Sequence, residues 1–139
     1  MKAELIKRIN HYLNKFELFR PQSNSDKDIK QAEEKLNVVF DPDYKQFIKL
    51  FGGCYVGVDV YGIKNSNDLE DKSIIDLTEE YKKSGWNIPK GSYVISFDSS
   101  GNPIMINNSG EIILFDHDNF SLIKLADSFE KLIEDNLPD

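Results

Sequence analysis

At 139 residues, 40% hydrophobic and 12% aromatic, the chain carries enough apolar side chain for a packed core, which excludes the disordered class. Its net charge of −7 is uneven, with ten Lys/Arg against eight Asp/Glu in residues 1–50 but seven against sixteen in residues 51–139; this argues against direct binding to nucleic acid, whose phosphates select basic surfaces, and allows a basic protein partner, although charge alone fits a merely solubilising acidic surface better. One cysteine, no run approaching about 20 apolar residues and a charged N-terminus without an apolar core predict a single cytoplasmic domain, residues 1–139, with no disulfide and no membrane anchor.

Residues 1–16 predict an amphipathic helix with Leu5, Ile6, Ile9, Tyr12, Leu13 and Phe16 on one stripe. Such a stripe faces a core, and the helix lacks the Lys/Arg excess of a membrane-surface helix. Residues 19–24 read as a linker. A second helix opens on Ser25 as N-cap with Asp26 and Asp28 in its first turn, buries Ile29, Ala32 and Leu36, and ends at Asn37. The third has Asp41 as N-cap and Pro42 where a missing N–H costs nothing. Its stripe is Tyr44, Phe47, Ile48 and Phe51, and Gly52-Gly53 stop it.

Residues 54–61 alternate, with Val56, Val58 and Val60 on one face and Tyr55, Gly57, Asp59 and Tyr61 on the other. The pattern predicts one strand whose valines are buried and whose other face is open. Tyr55, Asp59 and Tyr61 then suit a contact patch, because Tyr gives large contact area at small entropic cost; the tyrosines suit packing beneath another element equally well. Residues 62–72 are polar and loop-like. A helix follows over 73–84 with Ile74, Leu77 and Tyr81 inward, then a turn-rich link in which Trp86 fills the core or, partly open, anchors a partner.

Four short apolar strands come next, at 93–97, 103–107, 111–115 and 120–125. Asp98-Ser99-Ser100-Gly101-Asn102, Asn108-Ser109-Gly110 and Asp116-His117-Asp118-Asn119 separate them, each offering the Gly, Asn or Asp that a hairpin loop needs. Asp127 is placed to cap a last helix with Phe129, Leu132, Ile133 and Leu137 inward. The predicted class is α+β: an antiparallel sheet with a C-terminal four-strand meander, packed by N-terminal, middle and C-terminal helices.

Searching for chemistry yields little. Asp116-His117-Asp118 invites a metal or acid–base reading, but three adjacent residues on a turn do not converge on one centre, and the only other histidine is His11. The stretch reads instead as a hairpin turn held by Asp side chains bonding to backbone. Cys54 has no nearby basic residue to activate it, no serine sits in a Gly-x-Ser-x-Gly elbow, and no phosphate loop is present. No enzyme activity, metal or cofactor is expected. Candidate contacts for a basic partner are Tyr55, Asp59 and Tyr61 with the turn carboxylates Asp98, Asp116 and Asp118, since carboxylates steer and aromatics hold.

Two stretches carry a likeness. One is the run FDHDNFSLIKLADSFEKLIED, preceded by a strand and a Gly-Asn turn. The other combines the helix around Ile29 to Leu36 with Phe40-Asp41-Pro42-Asp43-Tyr44, then Phe47 and Phe51-Gly52-Gly53. Over residues 29–137 the chain resembles the SUKH superfamily, which takes in fungal cell-wall assembly regulators and bacterial toxin-immunity proteins; Asp41 stands before the proline where the family more often has Leu. The resemblance implies an immunity protein that occludes a cognate secreted toxin, with a basic nuclease domain as the expected partner. The alternative it implies is a regulatory scaffold akin to the cell-wall regulators.

Overall fold

In the computed structural model the described residues are 1–16 and 22–138. Phe19, Arg20 and Pro21 of the predicted linker lie outside them. The first helix, α1 (Ala3–Leu13), is shorter than its sequence stripe: Leu5, Ile9, Tyr12 and Leu13 are buried, while Phe16 falls beyond the helix end and is exposed, its ring edge-on to Tyr12. Helix α2 (Asp26–Leu36) starts where the Ser25 side chain accepts the Asp28 N–H and stops at Asn37, which takes the left-handed conformation at φ 54°. Helix α3 (Pro42–Leu50) is capped by Asp41, whose carboxylate accepts the N–H groups of Asp43 and Tyr44.

The stretch predicted as a single strand is a hairpin. β1 (Cys54–Tyr55) and β2 (Asp59–Val60) pair antiparallel, with Tyr55 opposite Asp59. Gly57 makes the reversal possible: its φ is +91°, and a Cβ there would lie 1.8 Å from the Asn136 carbonyl oxygen, so a side chain fits neither the backbone nor the space. The loop after the hairpin leads into α4 (Ile74–Lys83), which begins with a reciprocal capping box between Ser73 and Asp76.

The meander forms as predicted, with boundaries shifted by a residue or so. β3 (Tyr93–Phe97), β4 (Pro103–Ile106), β5 (Ile112–Asp116) and β6 (Ser121–Ala126) make one antiparallel sheet in that order. Its two faces support separate apolar layers. Tyr93, Ile104, Ile106, Ile112 and Leu114 pack with the helices α1, α2, α3 and α5 (Phe129–Asn136). Val94, Met105, Ile113 and Phe115 pack on the other face with Leu77, Tyr61 and the partly buried Tyr81, Trp86 and Phe97.

At α5 the cap is Ser128, whose side chain accepts the Lys131 N–H, and not Asp127 as predicted. Asp127 instead pairs with Lys124 at 2.7 Å, an ion pair that a carboxylate one residue earlier reaches more readily than the helix N–H groups. Phe129 seats α5 on α3, with its ring edge-on to Phe47 at 5.4 Å and to Tyr44 at 5.6 Å.

Candidate protein-binding site

Folding the hairpin at Gly57 changes what its polar face presents. Tyr55 and Asp59 lie directly opposite each other, so their side chains share one face. Tyr55 is 42% exposed. Tyr61, predicted on the same open face, is 1% exposed: its ring stacks on Phe97 at 5.8 Å, its hydroxyl accepts the Glu70 N–H and its carbonyl accepts the Tyr44 hydroxyl. The bend removes the strict alternation that would have kept Tyr61 with Tyr55, and Tyr61 is therefore a packing residue.

The loop between Gly62 and Ser73 brings two further carboxylates that sequence reasoning missed. Asp68 and Glu70 crowd Asp59, whose carboxyl is held above the ordinary range first by burial and then by these two charges. Burial, Tyr55 and Asp68 likewise push the Tyr12 phenol up, which places α1 at the border of the same cluster. Asp59 and Glu70 lie eleven residues apart on a bend and a loop, so no sequence periodicity links them.

On the far side of Tyr61 the acidic surface continues. A groove of about 280 Å³ runs between α4 and the sheet, with Tyr81, Trp86 and Phe97 along it and Glu70, Lys72 and Glu80 at its margin. Lys72 lies 3.1 Å from Glu80 and 3.7 Å from Glu70. The Tyr81 hydroxyl donates to the Gly101 carbonyl; burial pushes its phenol up to about 12, with Asp98, Glu80 and Glu70 adding to the shift. Asp98, Glu80 and Glu70 therefore all act on Tyr81, which connects Glu70 to Asp98.

Asp98 organises the first meander turn. Burial pushes its carboxyl up, but hydrogen bonds from the Asn102 side chain and N–H and from the Ser100 N–H, with His117 nearby, outweigh that and hold it below the ordinary carboxylate range. Asn102 in turn accepts the His117 N–H, tying the first turn to the third. Within that third turn Asp116 accepts from the Asp118 N–H and the Asn119 side chain, so it shapes the turn, while Asp118 is exposed. Tyr55 and Asp59 thus form one group with Asp68 and Glu70, and Asp98, Asp116 and Asp118 form a second, with Tyr81 and its groove between them.

For chemistry the site offers little. Among the described residues, no group of three His, Cys, Asp or Glu side chains is arranged to hold a metal ion. Cys54 is fully buried, and burial pushes its thiol far up, so it remains protonated and unreactive. No described helix is long and apolar enough to cross a membrane.

An antiparallel meander packed between helices, with carboxylates and aromatic side chains along one edge, defines an α+β protein. Comparison with curated proteins returns no match. The family described as SUKH_5, SMI1-KNR4 cell-wall, matches residues 2–138, and the chain belongs to that family. The family includes toxin-immunity proteins, and its members act in protein–protein interactions.

Proposed function

We propose that this protein is an immunity protein, one cytoplasmic domain that binds a cognate secreted toxin with a basic nuclease domain and neutralises it by occlusion. The observation that carries the reading is the crowding of Asp59, Asp68 and Glu70 beside the exposed Tyr55. Like charges held together cost the isolated fold stability, and a docked cation relieves that cost, so the arrangement suits a surface meant to be covered by positive charge. Tyr55 supplies the rigid aromatic contact that holds a partner after encounter. Asp98 and Asp118 extend the field across the groove and act mainly on the rate of approach.

The test is co-expression with the toxin encoded beside this gene, together with binding of the purified pair. Protection of the cell and a tight complex are expected, with association slowed by salt more than dissociation is hastened. Replacing Asp59 and Glu70 by Lys should weaken the complex at least tenfold while the variant still melts cooperatively. If no neighbouring toxin binds, the immunity reading fails and a regulatory scaffold, the other role known in this family, takes its place.

A further inference from the structure

The two edges of the meander are treated differently. At the β3 edge the Tyr61 N–H donates to the Ile95 carbonyl, so the hairpin covers it. At the β6 edge no strand pairs, among the described residues. β6 is also the strand that sequence reasoning misjudged: read as an ordinary packed strand, it leaves Phe120 82%, Leu122 48%, Ile123 43% and Leu125 42% exposed. Four of the large exposed apolar side chains therefore lie within six consecutive residues on an open edge, a combination that proteins ordinarily avoid.

The usual protection of such an edge is weakened here. Lys124 is the one charge within β6, and its ammonium is engaged by Asp127 at 2.7 Å and Glu111 at 3.6 Å. Phe120 adds a second irregularity, for it holds φ 49° at a turn position where Gly or Asn is the ordinary choice. A bulky apolar residue kept in that conformation and left in solvent contributes nothing to the isolated fold, which points to a role in contact.

We propose that β6 is a self-association edge, at which a second copy pairs its own β6 antiparallel and extends the four-stranded sheet into a continuous one across a two-fold axis. An unpaired strand edge asks for another extended strand, and an antiparallel pair of identical strands satisfies that symmetrically. The side chains are self-complementary about Leu122. In that register Leu122 meets its own counterpart, Ile123 meets Ser121, and each Lys124 lies towards Phe120 of the second copy, where a cation and an aromatic ring attract. The two lysines are kept well apart.

Area sets the strength. Taking roughly 200 Å² for each of these side chains when fully exposed, the four present about 400 Å² per copy. Complete cover of these side chains would bury about 800 Å² over both copies, which belongs to the weak, reversible class of interface. A dissociation constant in the micromolar range is expected. This inference stands on the open edge alone and does not depend on the immunity reading.

Sedimentation velocity of the full chain, from micromolar to millimolar concentration, tests it. A concentration-dependent shift from monomer to dimer is expected, and Leu122→Lys should abolish it while leaving the thermal melt unchanged, because Leu122 is not a core residue. Leu122→Cys gives a second readout: opposed residues of an antiparallel pair have Cα atoms about 4.5–5.5 Å apart, within disulfide reach, and the buried native thiol does not compete. Under mild oxidation it should form a linked dimer at least tenfold faster than Ser109→Cys on an exposed turn. A parent chain that stays monomeric to millimolar concentration, or equal cross-linking at the two positions, would overturn the proposal.

Discussion

Replacing Phe129 by Ala tests the packing that seats α5 on α3. Phe129 is fully buried at the first position of α5, with ring contacts to Phe47 at 5.4 Å and Tyr44 at 5.6 Å. Removing a buried aromatic ring of this kind costs about 3–5 kcal/mol from lost transfer energy and the cavity left behind. The edge-on pairs contribute about 0.5–1.5 kcal/mol of that, measurable as a coupling in a double-mutant cycle with Phe47→Leu. Against a total stability of about 5–15 kcal/mol, the variant should remain folded in the cold but lose roughly 10–20 °C in Tm. Urea denaturation followed by circular dichroism gives the free energy directly, through a lower midpoint at an unchanged slope. A loss below about 1 kcal/mol would refute the claim that α5 is seated on α3 through this ring.

Tyr44→Phe keeps the ring and removes the hydroxyl that donates to the buried Tyr61 carbonyl at 2.6 Å. Leaving that carbonyl without its partner should cost about 1–3 kcal/mol, read by denaturation, and an unchanged midpoint would show that the bond is not needed. Asp59→Asn should do the opposite at neutral pH. The folded-state pKa of Asp59 is raised by burial, Asp68 and Glu70, so its ionisation is disfavoured in the folded chain. The favourable contribution is full below the unfolded value of about 4 and is lost as pH rises through the folded value. The substitution should therefore raise Tm at pH 7 more than at pH 4; a lower Tm at pH 7 would show that the three charges do not repel.

Local signals in the chain were readable where one residue type has one physical use. Ser25 and Asp41 with Pro42 each stand immediately before an apolar stripe, and each caps the helix that its position predicts, whereas Ser73, read as the first residue of its helix, is its cap. The choice between Asp127 and Ser128 was not readable, since both carry a capping oxygen and the ion pair that claims Asp127 forms in three dimensions. Alternation over residues 54–61 fitted a straight strand as well as a hairpin bent at Gly57. Only the approach of Asn136 to that glycine shows why the bend is built in. Asp68 and Glu70 carried no signal of their own, because a polar loop reads the same whether its carboxylates face open solvent or another carboxylate. The exposure of β6 was hidden for the complementary reason: an apolar strand looks like core until nothing packs on it.

The acidic surface is carried by a loop, yet that loop is fixed. The side chain of buried Asn24 accepts the N–H groups of Ile63 and Lys64 and donates to the carbonyls of Gln22 and Lys64. Asn65 accepts the Gly62 N–H and donates to the Lys72 carbonyl, which clasps the segment bearing Asp68 and Glu70 at both ends. Backbone groups that a mobile loop would leave to water are satisfied within the protein, so little ordering entropy remains to be lost when a partner docks. The hairpin beside this loop engages the β3 edge of the sheet, whereas β6 forms the opposite edge, three strand spacings or about 14 Å away. Pairing through β6 therefore leaves Tyr55 and Asp59 uncovered and gives a dimer with two such surfaces. The two contacts also differ in kind: the carboxylate surface weakens as salt screens it, and the apolar edge does not. Raising the ionic strength should thus slow capture of a basic partner while leaving the dimer in place.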